Sequence, residues 1–396
     1  MNWIWEHDNW PRFAHDAMIS GDLTANDFRL RSQQLHGNIE AMSAHDQLDT
    51  LADLMLSEVL NTNMIEGEKL DRDSVRASLL ALLGGGSVGS VAGQDDKSST
   101  AAEFIVDVRN HWNSPLDASL LGRWQSMIIA DQPGNIIRRG AFRRDTAPMQ
   151  IVSGGPGRYR VHYEAPPATR VDEEMARFLD WYNTTRPDAD NSDASAGLLR
   201  AGIAHVWFEM IHPFDDGNGR VGRAIVDHAI SQTLGYPALT CFSAAVLQSR
   251  KRYYRELEWI GRGNSNLDSW LRFFSETVRQ ALMITRQQVE FVLKKTRFFD
   301  AFGARLNERQ SKMAARVFAE GIKGFEGGIT TRKYQAVTKC SRATAFRDLN
   351  DMLKAGILVA RPGAGRNVSY DLVSVTIAMQ GLKQAGQAVI LTGPQP

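Results

Sequence analysis

The segment His212 to Arg223 reads His-Pro-Phe-Asp-Asp-Gly-Asn-Gly-Arg-Val-Gly-Arg, and it dictates a turn of small residues between two helical stretches. Apolar positions at helical spacing flank it over 195–211 and 220–234. A Gly217-Asn218-Gly219 turn feeding a helix exposes backbone N–H groups at the positive end of the helix dipole, which favours a phosphate. Arg220 and Arg223 stand three apart on one helical face and can reach the same anion. A candidate base, His212, and a candidate metal ligand, Asp216, fall within the same twelve positions.

This block resembles the signature of the Fic family, H-P-F-x-[D/E]-G-N-G-R-x-x-R, with every defining position filled. His205, Phe208 and Ile211 stand where that family often has H-x-x-F-x-x-I-H-P-F, and the resemblance spans roughly residues 50–290. It implies a mainly α fold: a helical Fic core with a small β-hairpin flap. It also implies a protein adenylyltransferase, with ATP as co-substrate and Mg²⁺ as its ion. His212 would deprotonate a Ser, Thr or Tyr hydroxyl of a target protein, which then attacks the α-phosphate of ATP. An unperturbed imidazole pKa of ~6.5 suits that work near neutral pH. Asp216 would hold Mg²⁺ between the α- and β-phosphates. Gly217, Asn218 and Gly219 would form the anion cradle, and Arg220 and Arg223 would grip the β- and γ-phosphates. Asp215 sits at a variable family position and reads as a solvated or capping acid; Phe214 reads as core. Family members that transfer a phosphoryl group typically alter a glycine of the motif. Gly217 and Gly219 are both present, which favours AMP transfer.

Two further segments extend the resemblance. Met149-Gln150-Ile151-Val152 and Tyr159–Tyr163 are short β-type runs around Ser-Gly-Gly-Pro-Gly and read as a hairpin. The hairpin resembles the Fic flap, which binds target backbone as an added strand. Thr62-Asn-Met-Ile-Glu66-Gly67 resembles the family's inhibitory signature, [S/T]-x-x-x-E-[G/N], placed ahead of the core. In that class Glu66 would pair with Arg223 and displace the γ-phosphate, and Gly67 suits a helix stop. In some members the same glutamate supports removal of AMP, so a de-adenylylase stays open.

The chain is organised as residues 1–100, an N-terminal helical part carrying the inhibitory motif; 101–295, the catalytic core; and 296–396, a third segment with a tail. Trp3, Trp5, Trp10, Pro11 and Phe13 read as an apolar cap on the first helices. Helices are expected within 27–60 and at 71–83, with Asp71 as N-cap. Residues 84–100, Gly- and Ser-rich, read as a mobile connection. Two more helices are expected at 101–113 and 118–130, then one at 171–183; residues 253–293 read as helical with a break at 261–264. From about Leu306 the order is helix at 308–319, a second from Ile329, and a third capped by Ser341. Two short strands follow around a Gly/Pro turn at 361–365, the pattern of a winged helix-turn-helix.

With 43% hydrophobic and 23% charged residues the composition is that of an ordinary globular protein. No apolar stretch approaches the ~18–20 residues of a membrane span. The N-terminus lacks the pattern of a secretory signal, and Cys241 and Cys340 are far apart, so a reducing cytoplasm is expected. The net charge of +1 conceals fourteen Lys/Arg against six Asp/Glu from residue 301 onward. That excess points to DNA as a partner, and a nucleotide-sensing DNA-binding regulator is the alternative to an enzyme. Against it, Asp348 and Asp351 share the proposed recognition helix and would repel phosphates if they faced them. A homodimer is the other partner considered.

Overall fold

The computed structural model describes residues 2–15, 24–85, 96–129, 137–155, 158–187, 193–263, 265–321, 324–362 and 368–373. It divides into two compact units, Met1–Arg286 and Gln287–Pro396.

The first unit is mainly helical. Its helices are α1 (Thr24–Glu40), α2 (Ala44–Ile65), α3 (Arg72–Leu83), α4 (Asp96–Asn110), α5 (Ala118–Ile128), α6 (Ala168–Thr184), α7 (Ala194–Ile211), α8 (Asn218–Leu234), α9 (Phe242–Gln248), α10 (Arg250–Arg262) and α11 (Asp268–Phe302), the last continuing into the second unit from Gln287. Strands β1 (Gln150–Ser153) and β2 (Arg160–Glu164) pair antiparallel, Gln150 opposite Glu164 and Ser153 opposite Arg160, with a register shift between Ile151 and Val152. Several helix starts follow from short polar side chains that accept otherwise orphaned N–H groups. Asp71 accepts from Ser74 N at 2.8 Å, Asp117 from Leu120 N at 2.7 Å and Asp193 from Ser195 N at 2.9 Å.

Helices α7 and α8 form the buried centre. Leu198, Ala201, Ala204, Phe208 and Ile211 on α7, and Val221, Ile225, Ala229 and Ile230 on α8, are all buried. Two glycines bring their backbones together. A Cβ at Gly197 would overlap the Thr233 side chain, and one at Gly222 would overlap the Glu209 carboxyl. The loop joining these helices carries the motif.

Two expectations are corrected. Residues 96–100 open α4 instead of belonging to a mobile connection; 86–95 lie outside the described residues. The aromatic N-terminus does not cap the first helices. Trp10 and Phe13 meet Trp207 of α7 edge-to-face at centroid distances of 6.4 and 5.9 Å, and Trp3 meets Tyr163 of β2 at 5.6 Å. Helix α9, only seven residues long, went unanticipated. The expected turns at 153–157, 261–264 and 361–365 lie partly outside the described residues, at 156–157, 264 and 363–365.

In the second unit, α12 (Glu308–Ala319), α13 (Thr331–Thr338) and α14 (Arg342–Lys354) are followed by β3 (Leu358–Ala360) and β4 (Tyr370–Leu372), an antiparallel pair. Phe298, Met313, Tyr334, Leu349, Met352 and Ile357 make its core. Ser341 caps α14, as expected, by accepting from Thr344 N at 3.2 Å. Asp348 does not face outward from α14. It is 3% exposed, accepts from Arg309 Nε at 2.8 Å and takes the Tyr334 hydroxyl at 3.1 Å.

The close approach of α7 and α8 makes a measurable prediction. Gly197→Ala should destabilise the protein by ~1–3 kcal/mol through overpacking. Adding Thr233→Ala should recover part of that loss in a double-mutant cycle read by urea unfolding. Full additivity of the two substitutions would show that the helices do not meet there.

Candidate active site

Helix α7 ends at His212, whose backbone is left-handed (φ 50°), uncommon for a residue with a side chain. Arg143, 2% exposed, holds this corner. Its Nε donates to His212 O at 2.8 Å, its Nη2 to Ile211 O at 3.3 Å and to Pro166 O, and its backbone N to Pro213 O at 2.8 Å. His212 Nδ1 lies 3.3 Å from Glu209 O. With the proton on Nδ1 in that bond, Nε2 keeps its lone pair. Burial lowers the imidazole pKa to about 4, so the ring is neutral at physiological pH.

The turn after His212 is closed by Asn218, 2% exposed, whose Oδ1 accepts from Phe214 N at 2.9 Å and whose Nδ2 donates to Phe214 O at 2.8 Å. At least one amide hydrogen assigned to an anion cradle is therefore engaged in shaping the turn. Phe214 is fully buried against Phe208 and Phe142. Gln125, also fully buried, donates to Arg138 O at 3.1 Å and Asp216 O at 3.3 Å and accepts from Gly140 N at 2.7 Å. Asp216, half-buried, accepts from Gly217 N at 2.6 Å, and Asp215 accepts from Arg138 N at 3.3 Å, as a capping acid would. Gly217 is left-handed (φ 89°) and caps α8 with no side chain of its own to accept from the first-turn N–H groups.

Both motif arginines are buried, and carboxylates meet both. Arg223 donates through Nη2 to Glu66 Oε1 at 2.7 Å and Thr62 O at 3.1 Å, and through Nε to Thr62 Oγ1 at 2.8 Å. Burial opposes its charge, but the Glu66 carboxylate outweighs that and raises its pKa. Glu66 caps the C-terminus of α2, and Gly67 turns the chain with φ 85°. The carboxylate lies against the glycine turn: a Cβ at Gly219 would sit 2.6 Å from Glu66 Oε1. Arg220 reaches a different acid. Its Nη1 donates to Glu68 Oε2 at 3.2 Å and Asn63 Oδ1 at 3.3 Å. The two arginines, expected to share one anion, hold separate carboxylates on either side of Gly67.

Met149 precedes β1 and accepts from Ala165 N at 2.9 Å; Gln150, Ile151 and Val152 lie in β1, all exposed. Strand β2 is fastened to α10: Glu258 binds Arg160 at 2.7 Å and His162 at 2.8 Å, and Arg262 donates to His162 O at 3.0 Å. The Tyr163 hydroxyl donates to Met210 O at 2.6 Å, two residues before His212. His205, by contrast, is core, stacked on Trp270 and bonded to the Tyr253 hydroxyl at 2.8 Å.

Sequence reasoning missed Arg143, Gln125, Glu68 and Glu209. The last is a buried carboxyl beside Gly222 that burial pushes up to about 8. Only Glu68 left a trace, as a second acid two positions beyond Glu66.

Residues 115–230 match the Fic/DOC family, and residues 3–84 match a domain of unknown function, DUF4172. The chain thus contains a Fic/DOC domain. It is similar to a uridine 5′-monophosphate transferase of Xanthomonas campestris, 23% identical over 150 residues, 37% of this chain and 27% of that protein. A protein adenylyltransferase Fic of Drosophila willistoni is 28% identical over 146 residues, 37% of this chain and 25% of that one. The protein adenylyltransferase fic-1 of Caenorhabditis briggsae is 31% identical over 94 residues, 24% and 17% of the two chains. The matched stretch spans about a quarter or less of these relatives' length. Among solved structures, a Fic family protein of Desulfovibrio desulfuricans aligns over 89% of this chain and 96% of its own, at 18% identity and a TM-score of 0.46. Fic-1 of C. elegans aligns over 68% and 74%, at 17% identity and a TM-score of 0.43.

Proposed function

We propose that this protein transfers AMP from ATP to a Ser, Thr or Tyr hydroxyl of a target protein, and that Glu66 restrains the reaction. The observation that carries the reading is the Glu66 carboxylate on Arg223 at 2.7 Å, lodged against Gly219 at the N-terminus of α8. An anion already occupies the place where a helix N-terminus and a buried guanidinium converge, which is where a nucleotide phosphate would bind. His212 Nε2 accepts the hydroxyl proton as the oxygen attacks the α-phosphorus. The bond from that phosphorus to the bridging oxygen breaks, and pyrophosphate leaves toward Arg220 and Arg223. The exposed edge of β1 (Gln150, Ile151 and Val152, with Met149 before it) takes a strand of the target and so delivers the hydroxyl.

Mg²⁺ fits the donor set. Asp216 offers a hard carboxylate at the mouth of the turn, and an ion shared with phosphates needs only one or two such ligands. Among the described residues no group of three or more His, Cys, Asp and Glu would hold a metal unaided. Bound there, the ion would neutralise charge on the phosphate oxygens. The relatives named above divide between adenylyl and uridylyl transfer, so UTP is the competing donor for the same chemistry.

A second reading concerns the C-terminal unit. With Asp348 buried, the exposed face of α14 carries Arg342, Arg347 and Lys354 against Asp351. This favours DNA as a partner of that unit, in the manner of a winged helix.

Transfer of label from ATP tagged on the α-phosphate tests the first reading. Glu66→Gly should raise transfer about tenfold or more, because a charge-assisted bond is worth more than ~1.4 kcal/mol. His212→Ala should lower it by ~10²–10⁴. Label arriving from the γ-position, or from UTP in preference to ATP, would replace the adenylyl reading. Transfer from no variant would leave the regulator.

The acid limb of the Glu66→Gly pH profile is a separate check. Burial depresses the His212 pKa, so the base is neutral above its folded value, and kcat/KM should stay level from pH 7 to 5 and fall near about 4. A midpoint near 6.5 would mean the ring is solvated. For the second reading, fluorescence anisotropy with duplex DNA should show affinity falling at least ~tenfold between 50 and 200 mM salt, and weakening in Arg342→Ala and Arg347→Ala. Absence of binding at 50 mM salt would discard DNA as the partner.

A further inference from the structure

The register shift of the hairpin falls at His162. Ile151 lies opposite Tyr163 and Val152 opposite Val161, so His162 is the extra residue of a β-bulge. A bulge re-aims the side chain it carries. This imidazole bridges two others: Nε2 lies 2.5 Å from Ser153 Oγ at the end of β1, and Nδ1 lies 2.8 Å from Glu258 Oε2 on α10. Glu258 is held by its other oxygen. Its Oε1 accepts from Arg160 Nη2 at 2.7 Å and lies 3.3 Å from Arg262 Nε. Burial would raise this carboxyl, but the bonds from His162 and Arg160 outweigh it and keep its pKa below the usual carboxylate range. An ionised carboxylate accepts from Nδ1–H, which fixes the tautomer and leaves the Nε2 lone pair to the Ser153 hydroxyl proton. Fastening β2 to α10 needs only Arg160, Arg262 and Glu258. The Ser153 bond joins two strands already paired, and Ser153 is exposed, so water would satisfy its hydroxyl as well.

We propose that Ser153, His162 and Glu258 form a second nucleophilic centre, in which the Ser153 hydroxyl takes an acyl group from a small carboxylic ester. The centre shares no residue with the motif at His212 and stands whether or not that motif transfers AMP. A nucleophile bonded to a base, and the base bonded to a carboxylate that orients it, is the arrangement that activates a serine. Ser153 Oγ forms a bond to the ester carbonyl carbon while its proton passes to His162 Nε2. The bond from that carbon to the alkoxy oxygen then breaks, and the alcohol leaves with the proton from Nε2. Water returns the serine by the same path: its oxygen joins the acyl carbon, one of its protons goes to Nε2 and then to Ser153 Oγ, and the carboxylic acid departs. Glu258 stabilises the imidazolium formed at each transfer. Access is open, because Ser153, Gly154 and Gly155 are all exposed and a Cβ at Gly155 would meet nothing within 4 Å. Two positions back on the same face of β1, exposed Ile151 offers an apolar surface to a short acyl group.

Incubation of the full chain with a fluorophosphonate probe, read by peptide mass spectrometry, tests the centre. Phosphonate should attach to Ser153 Oγ as fluoride leaves, and Ser153→Ala should remove that label. His162→Ala and His162→Gln should each slow labelling by about 10²-fold or more, the effect of losing a general base. Glu258→Gln should slow it as well, since it removes the charge that supports the imidazolium. With p-nitrophenyl acetate the same serine should carry the acetyl group, and Ser153→Ala should release p-nitrophenol more slowly than the wild type. A merely structural cluster would leave Ser153 as inert as any solvated serine. No adduct on Ser153, or labelling of Ser153 at the same rate in the His162 variants, would therefore overturn the proposal. Should circular dichroism show the His162 variants unfolded, the comparison with Ser153→Ala decides alone: equal p-nitrophenol release by the two proteins would overturn it.

Discussion

A guanidinium inside a protein must be given acceptors, because an uncompensated buried charge costs several kcal/mol. The described residues include four buried guanidiniums, three of them beside the loop between α7 and α8, and they are satisfied in two different ways. Arg143 leans on the backbone carbonyls of His212 and Ile211, and Arg200 on Tyr182 O, the Gln232 amide oxygen and the Thr185 hydroxyl, with the ring of Tyr182 beneath it. Those acceptors are uncharged groups that stay where the fold puts them. Arg220 and Arg223 lean on carboxylates at and just beyond one helix end. A carboxylate on a side chain can be exchanged for another anion, provided that one takes its place. The permanent bonds of Arg143 shape the corner, and the exchangeable pairs face the turn.

The corner is also connected to the hairpin. The Tyr163 hydroxyl binds Met210 O, and β2 is held to α10 through Glu258 and Arg262. The inner strand is thus fixed to the same helix that ends in His212, while the outer strand keeps its edge exposed. A two-stranded sheet is marginal alone, and here its support comes from one side only. What a bound strand would add on the other side is hydrogen bonding to a surface already aligned with the imidazole.

Much of this was legible where chemistry is local. Asp71, Ser341 and the Gly-rich turns announce helix starts and stops through their own side chains or their lack of one, and the apolar spacing of α7 and α8 is strong. Glu66 could be assigned to Arg223 because the resemblance supplied a partner some 157 positions away. What escaped was non-local. Arg143 lies in a stretch with no pattern, and its role depends on carbonyls at 166, 211 and 212. Asp348 sits on α14 at a position that reads as exposed until Arg309 and Tyr334 arrive from two other helices. The aromatic N-terminus named its need for burial without naming its partner, which proved to be Trp207 and not the neighbouring helices. Helix α9 is too short for its period to rise above chance.

The left-handed backbone at His212 gives that position two obligations that a substitution separates. Its φ of 50° is a conformation that most side chains resist and asparagine tolerates. Alanine here would therefore add the cost of a left-handed residue, about 1 kcal/mol, to the loss of the proposed base, whereas asparagine would remove the ring at a smaller backbone cost. Read side by side, the two replacements divide the residue into a chemical half and an architectural half.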